Sequence, residues 1–265
     1  MSTPIAVTIA GSDSSAGAGI EADLKTFGAL GVYGGAVVTA LTAQNTVGVF
    51  AIHDVPSDFI AAQINAVFTD LDVKAVKIGM LGAASTIDVV AAALDRYRTR
   101  NVVLDPVLVA SSGKRLLRED AIGALRNLIS RVHVLTPNLS EAAVLLGVAL
   151  ARDENEMREQ GQKLLTLGPA TVLIKGGHAK GPESVDYLVG AELCMRLANP
   201  RIDTRKTHGT GCTFSAAIAA GLAKGLPLAQ AAQEAKTYVS AAIAAADRLD
   251  VGSGGGPLHH FHAWW

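Results

Sequence analysis

Residues 206 to 215 read KTHGTGCTFS and run straight into AAIAAGLAKG. Glycines at 209 and 211 let the backbone turn sharply and come close to a ligand, and the alanine-rich residues beyond them have the composition of a helix. The first N–H groups of such a helix lack intrahelical acceptors, and its dipole adds partial positive charge. A phosphoryl group or a developing negative charge is the natural occupant. The same residues also fit a glycine loop that only caps a core helix.

A second glycine-rich loop, GSDSSAGAGIEAD over 11–23, follows an apolar run and opens a helical pattern. Gly17, Gly19 and Ala22 match GxGxxA, but that dinucleotide fingerprint needs an acidic residue about 20 positions on to hold the ribose. No Asp or Glu occurs from Leu24 to His53, so the fingerprint fails its second condition. GxxxxGK[ST] is absent as well, which excludes a P-loop.

The elements that must position these loops follow from periodicity. Runs 4–10, 35–41, 75–79, 101–105, 132–136 and 171–175 are short, β-branched and apolar, as strands buried on both faces are. Amphipathic stretches lie between them. Ile20, Leu24 and Phe27 share one helical face with Gly31 placed to stop it, while Ser57 and Ser140 sit at expected N-caps followed by Asp58 and Glu141. The alternation predicts an α/β fold with a mostly parallel sheet, helices on both sides and ligands at the carboxyl ends of the strands. Residues 185–197, with Gly190 and Ala191 between two apolar runs, read as an antiparallel hairpin at the sheet edge.

Composition narrows the partners. The chain has 265 residues, 49% of them hydrophobic, enough for one large domain over 1–265. A net charge of −1 with no block of like charge offers no footprint for nucleic acid or a membrane surface. Cys194 and Cys212 are the only cysteines, which excludes a disulfide framework and suits a reducing compartment. No secretory leader is recognisable, and Lys224, Gln230, Glu234 and Lys236 interrupt the alanine-rich runs, so the expected location is the cytoplasm.

The segments AGSDSSAGAGIEADLKTF, TALTAQNT, KIGML, DPVLVASSG, LTPNLSEA, LIKGGH, THGTGCTFSAAIAA and GPLHHFHAWW, in that order, resemble the hydroxymethylpyrimidine/phosphomethylpyrimidine kinases of thiamine biosynthesis. That family belongs to the ribokinase-like superfamily, and the resemblance runs along essentially the whole chain. It implies a three-layer α/β/α sandwich and a homodimer. It also implies an ATP- and Mg2+-dependent transfer of phosphate to 4-amino-5-hydroxymethyl-2-methylpyrimidine and then to its monophosphate. Pyridoxal kinase activity in the same pocket is the neighbouring alternative, and a non-catalytic pyrimidine- or nucleotide-binding regulator is the alternative of another class. Ala16 stands where the family commonly has glycine, Glu21 where it has glutamine, and Ser253 where it often has histidine.

Within that resemblance each side chain has a role to test. The Gln44 amide can accept from an exocyclic amine and donate to a ring nitrogen of an aminopyrimidine, or it can simply pin a loop. Asp23, one turn after Gly19, either bonds another ring atom or complements the helix dipole. Gly11, Met80 and Val107 complete the implied acceptor pocket, Met80 through a polarisable wall. Lys175, Thr207, Asp105 and Asn138 are implied on the nucleotide side, with Asp105 and Glu141 holding magnesium through water. Otherwise Asp105 forms a turn before Pro106 and Glu141 serves the helix dipole. Gly209, Gly211 and Cys212 form the implied catalytic set. A thiol at a helix N-terminus is expected to have a lowered pKa and to take the proton of an alcohol, whereas a neutral thiol would not repel a phosphate acceptor. Cys212 otherwise packs the helix start. His178 and His208 receive no role, and His259, His260 and His262 read as part of an ordered tail.

Overall fold

Alternate residues of the buried runs go to opposite faces, and that period of two builds the three layers. Val7 and Ile9, Val76 and Ile78, and Val102 and Leu104 enter one core, while Ala6, Ala75, Val103, Val134 and Leu173 enter the other. Each fully buried Ile or Leu contributes about 1.5–3 kcal/mol.

The structure is a computed structural model that describes residues 2–110, 113–177 and 181–265. Its strands are β1 (Ile5–Ala10), β2 (Tyr33–Val38), β3 (Ala40–Gln44), β4 (Val49–Asp54), β5 (Ala75–Ile78), β6 (Val102–Leu104), β7 (Val134–Leu135), β8 (Thr171–Lys175), β9 (Glu183–Val189) and β10 (Cys194–Pro200). The helices are α1 (Gly19–Ala29), α2 (Ser57–Asp70), α3 (Ala84–Tyr97), α4 (Ile122–Ile129), α5 (Leu139–Leu146), α6 (Glu154–Leu165), α7 (Thr210–Ala223) and α8 (Leu228–Ala244). The main sheet has the order β10-β9-β8-β7-β6-β5-β1-β2. It is parallel from β2 through β8 and antiparallel at β8-β9-β10, so the edge hairpin expected over 185–197 is present. Helices α2 to α6 cover one face and α1, α7 and α8 the other.

Several expectations need correction. The run 35–41 is not one strand: β2 ends at Val38 and β3 leaves for a separate two-stranded sheet with β4. At that point β1 has ended at Ala10: the Thr39 N–H makes the last bond to the Ala10 carbonyl, and its hydroxyl donates to the Met80 carbonyl. β2 is an edge strand and is only partly buried. Ser57 is the first residue inside α2, behind Pro56, and caps nothing. Ser140 lies inside α5, whose N-cap is Asn138. In α1 the buried positions are Ala22, Asp23, Thr26 and Phe27, with Ile20 and Leu24 half-buried.

Candidate active site

The strands β1, β5, β6, β7 and β8 all end at one rim, where α7 begins. Gly209 precedes α7 in the left-handed region, at φ 83°, and no side chain among the described residues caps the helix. A Cβ on Gly209 would collide with the Gly17 carbonyl, and one on Gly17 would collide with the His208 ring. The two glycine loops, far apart in sequence, are therefore packed against each other. With Thr210 donating back to Thr207 at 3.2 Å, the following N–H groups of the first turn are the ones a phosphoryl oxygen would meet.

Beneath that turn lie paired charges. Lys175, from the end of β8, donates to Asp105 Oδ1 at 2.6 Å, and Thr136 donates to the same oxygen at 3.3 Å. A Cβ on Gly211 would stand 3.2 Å from Lys175 Nζ and 3.5 Å from Asp105 Oδ2, which places both directly under the cradle. Burial opposes the charge of Lys175, but Asp105 and Glu141 outweigh it and raise its pKa. Asn138 and Glu141 cap α5 reciprocally: Glu141 N–H donates to Asn138 Oδ1 at 2.9 Å and Asn138 N–H to Glu141 Oε2 at 2.8 Å. Burial pushes the Glu141 carboxyl up to about 7, against the pull of Lys175 and with the repulsion of Asp105.

Asp23 does not line an open pocket. Its side chain is fully buried, and its Oδ2 accepts from Thr8 at 2.6 Å and from Lys77 at 2.7 Å. Burial works against the charge of Lys77, and the Asp23 carboxylate outweighs it, so the lysine stays above its ordinary range. Asp23 is thus half of a core ion pair, and its other oxygen, Oδ1, has no hydrogen-bond partner among the described residues.

Cys212 also differs from expectation. Its thiol is pushed up to about 11 by burial, against the pull of Lys77. The nearby Asp23 and Asp105 carboxylates add to the rise, and the N–H of Gly19 opposes it. Burial therefore works against a thiolate at this position, and the helix N-terminus does not overcome it.

The other expected residues have the following neighbours. Gly11 is buried against Met80, whose sulfur would lie 3.1 Å from a Cβ at position 11. Gln44 is half-buried and lies 3.2 Å from Nε2 of His208. Val107 is half-buried just beyond Asp105, and Thr207 is exposed on the cradle loop. The Asn138 side-chain oxygen accepts the cap bond from Glu141, which leaves one lone pair and the amide nitrogen for a ligand. His178 lies outside the described residues, as do Ser111 and Ser112 of the DPVLVASSG segment. In the tail, His260 Nε2 lies 3.0 Å from the Thr213 hydroxyl of α7, so the ordered tail rests on the cradle helix.

Three contributors were not singled out from sequence. Asp13 accepts from Ser15, Gly17, Ala18 and His208 and so shapes the first loop; its Asx-turn pattern, DSS before glycine, was the available signal. Lys77 was visible as a lone cation inside an apolar strand run. His208 carried no signal, because its role depends on partners distant in the chain.

An open, mostly parallel sheet whose strand ends converge on an uncapped helix start is the architecture of the ribokinase-like kinases. Pyridoxal kinase from Bacillus subtilis, in its ADP complex, superposes with a TM-score of 0.90 at 37% identity over 99% of both chains. The family model described as phosphomethylpyrimidine kinase matches residues 13–259, and the chain belongs to that family. It is 57% identical to the hydroxymethylpyrimidine/phosphomethylpyrimidine kinase of Rhizobium meliloti over 99% of both chains. It is 52% identical to the Escherichia coli protein of the same description over 98% of both.

Proposed function

We propose that this protein transfers the γ-phosphoryl group of ATP to the hydroxymethyl group of 4-amino-5-hydroxymethyl-2-methylpyrimidine, and then to the resulting monophosphate to give the diphosphate. The observation that carries the reading is the packing of the Gly209–Gly211 cradle directly above the Lys175–Asp105 pair. Phosphoryl transfer needs position and charge stabilisation more than covalent chemistry, and this arrangement supplies both. Lys175 balances phosphate charge, and the N–H groups at the start of α7 receive the transferring group. Gln44, Met80, Gly11 and Val107 surround the acceptor ring, while Thr207 and the Asn138 amide nitrogen lie on the nucleotide side.

Magnesium fits the residues present. Asp105 keeps Oδ2 toward Gly211, and Glu141 is a buried carboxyl raised to about 7, a group that a nearby cation would return to its anionic form. Asp105 and Glu141 would hold the ion through water. When bound it supplies charge neutralisation to the phosphates.

Cys212, neutral, lets an anionic acceptor approach the same cradle that serves the alcohol. The second acceptor is a phosphate monoester with a second pKa of about 6, so it arrives largely deprotonated and needs no base. Residues 1–265 act as one kinase domain in this reading, as a cytoplasmic homodimer. Among the described residues no helix is long and apolar enough to cross a membrane, and both cysteines are free.

A pyridoxal acceptor is the competing reading, favoured by the structural match to pyridoxal kinase. Incubation with Mg-ATP and, separately, hydroxymethylpyrimidine, its monophosphate and pyridoxal decides between them by phosphorus NMR. Monophosphate and diphosphate signals from the pyrimidines are expected. Product from pyridoxal alone would transfer the assignment to that vitamer, and turnover of none would refute a kinase acting on either.

A further inference from the structure

His208 has an unambiguous proton position. Asp13 is nearly fully buried, and its Oδ1 accepts from the Ser15 N–H at 2.9 Å and the Ser15 hydroxyl at 2.7 Å. Its Oδ2 accepts from the N–H groups of Gly17 at 3.1 Å and Ala18 at 2.9 Å. Backbone N–H groups only donate, so both carboxylate oxygens are acceptors. Burial alone would raise this carboxyl, but the bonds from His208 and Ser15 outweigh it and hold it at about 2. The His208 Nε2, 2.8 Å from Oδ2, must therefore carry a hydrogen and donate it to Asp13.

That assignment propagates to Gln44. Gln44 Nε2 stands 3.2 Å from His208 Nε2, two N–H groups facing one another with no acceptor between them. Exchanging the amide's nitrogen and oxygen removes that clash and lets the carbonyl oxygen share the Nε2 hydrogen with Asp13 as the longer arm of a three-centre bond. The other end agrees. Thr42 already donates its hydroxyl hydrogen to the Ser12 carbonyl at 2.9 Å, so at the 3.4 Å contact with the Gln44 amide Thr42 can only accept. The amide nitrogen belongs there. Two independent neighbours thus select one orientation, and the amide retains one lone pair and one N–H in a fixed order.

We infer that His208 is a positioning residue for acceptor specificity: locked by Asp13, it sets which way the Gln44 amide points and so which donor–acceptor edge of a heterocycle the pocket accepts. The inference rests on the reading above that Gln44 faces the acceptor ring. The ligand class it selects is an aromatic ring with an amine beside an unprotonated ring nitrogen. A 4-oxo ring, with a carbonyl beside an N–H, presents the reverse order.

The test compares kcat/KM for 4-amino-5-hydroxymethyl-2-methylpyrimidine with that for its 4-oxo analogue. The unaltered enzyme should prefer the amine by on the order of tenfold to a hundredfold, the discrimination of one bidentate amide pair. His208→Phe keeps a planar ring against Gly17 but removes the N–H. It should cut that preference at least about fivefold, mainly through the pyrimidine KM, with KM for ATP unchanged. His208→Gln carries an amide N–H to similar reach and should restore it.

An unchanged preference in His208→Phe overturns the inference. Gln44→Ala separates the two levels. If it abolishes the preference while His208→Phe does not, only the role of His208 fails; if it leaves the preference intact, the reading of Gln44 fails and the inference with it. Nitrogen-15 NMR of the unaltered protein is independent of any variant's folding. The Nε2–H tautomer of His208 is expected, and a neutral Nδ1–H tautomer would refute the lock.

Discussion

Lys77 Nζ donates to Oδ2 of Asp23 across 2.7 Å, joining β5 to α1 through side chains that are both completely buried. Removing one member of such a pair leaves an uncompensated charge in the interior. Lys77→Met should cost about 3–5 kcal/mol, whereas adding Asp23→Leu to it should recover most of the loss. Urea denaturation of both variants measures this. A loss below about 1 kcal/mol in Lys77→Met would mean that the pair is not what holds these elements together.

The cradle glycines should separate fold from chemistry. Ala at position 209 meets both a left-handed φ of 83° and the Gly17 carbonyl, so Gly209→Ala should lower stability and activity together. Position 211 lies within α7 and a Cβ there has ordinary contact distances to Asp105 and a close one to Lys175. Gly211→Ala should keep stability within about 1 kcal/mol. Its kcat should still fall by about tenfold or more, because the methyl occupies the approach to the cradle. Melting temperature and steady-state rates on the same preparations check the contrast.

Cys212, with its pKa near 11, should behave as a thiol throughout the physiological range. At pH 8 iodoacetamide should label the exposed Cys194 first, and labelling at Cys212 should climb only as pH approaches 11. A midpoint below pH 8 would contradict burial as the dominant influence. Cys212→Asp adds an anion beside the cradle and should depress the second, phosphate-accepting transfer at least about tenfold more than the first. Cys212→Ser should slow both by similar factors.

Glu141→Gln preserves an oxygen that can accept from Asn138 and so keeps the α5 cap, but it removes charge from the expected magnesium environment. The magnesium concentration for half-maximal activity should rise by about tenfold with little change in melting temperature. An unchanged magnesium requirement would confine Glu141 to capping.

Ala16 is one of two non-glycine residues at positive φ among the described residues, at 60°. A left-handed alanine costs about 1–2 kcal/mol, and part of that is offset by the greater freedom of an unfolded glycine. Ala16→Gly should therefore stabilise the protein by about 0.5 kcal/mol, read as a higher urea midpoint. A lower midpoint would show that the loop tolerates Ala16 without strain.

Local pattern was sufficient for the layers and for the address of the site. Strands such as β5 and β8 are continuous apolar runs because both faces are covered, and that composition is legible without neighbours. β4 was not legible: its residues are half-buried or exposed, so no hydrophobic period marks it. The capping residue of α5 was misplaced by two positions because Asn138 and Ser140 are both acceptable caps locally, and only the reciprocal bond with Glu141 chooses.

The sequence by itself determined the α/β alternation, the two glycine loops and the residue types gathered at the strand ends, since each depends on period, spacing or backbone freedom along a few neighbouring positions. Only the tertiary structure decided that the loops pack on one another through Gly17, His208 and Gly209, that Asp23 turns inward to Lys77, and that burial raises the Cys212 thiol. Those outcomes depend on burial and on charges brought close from distant parts of the chain, and desolvation is a property of the packed interior that no local run of residues carries.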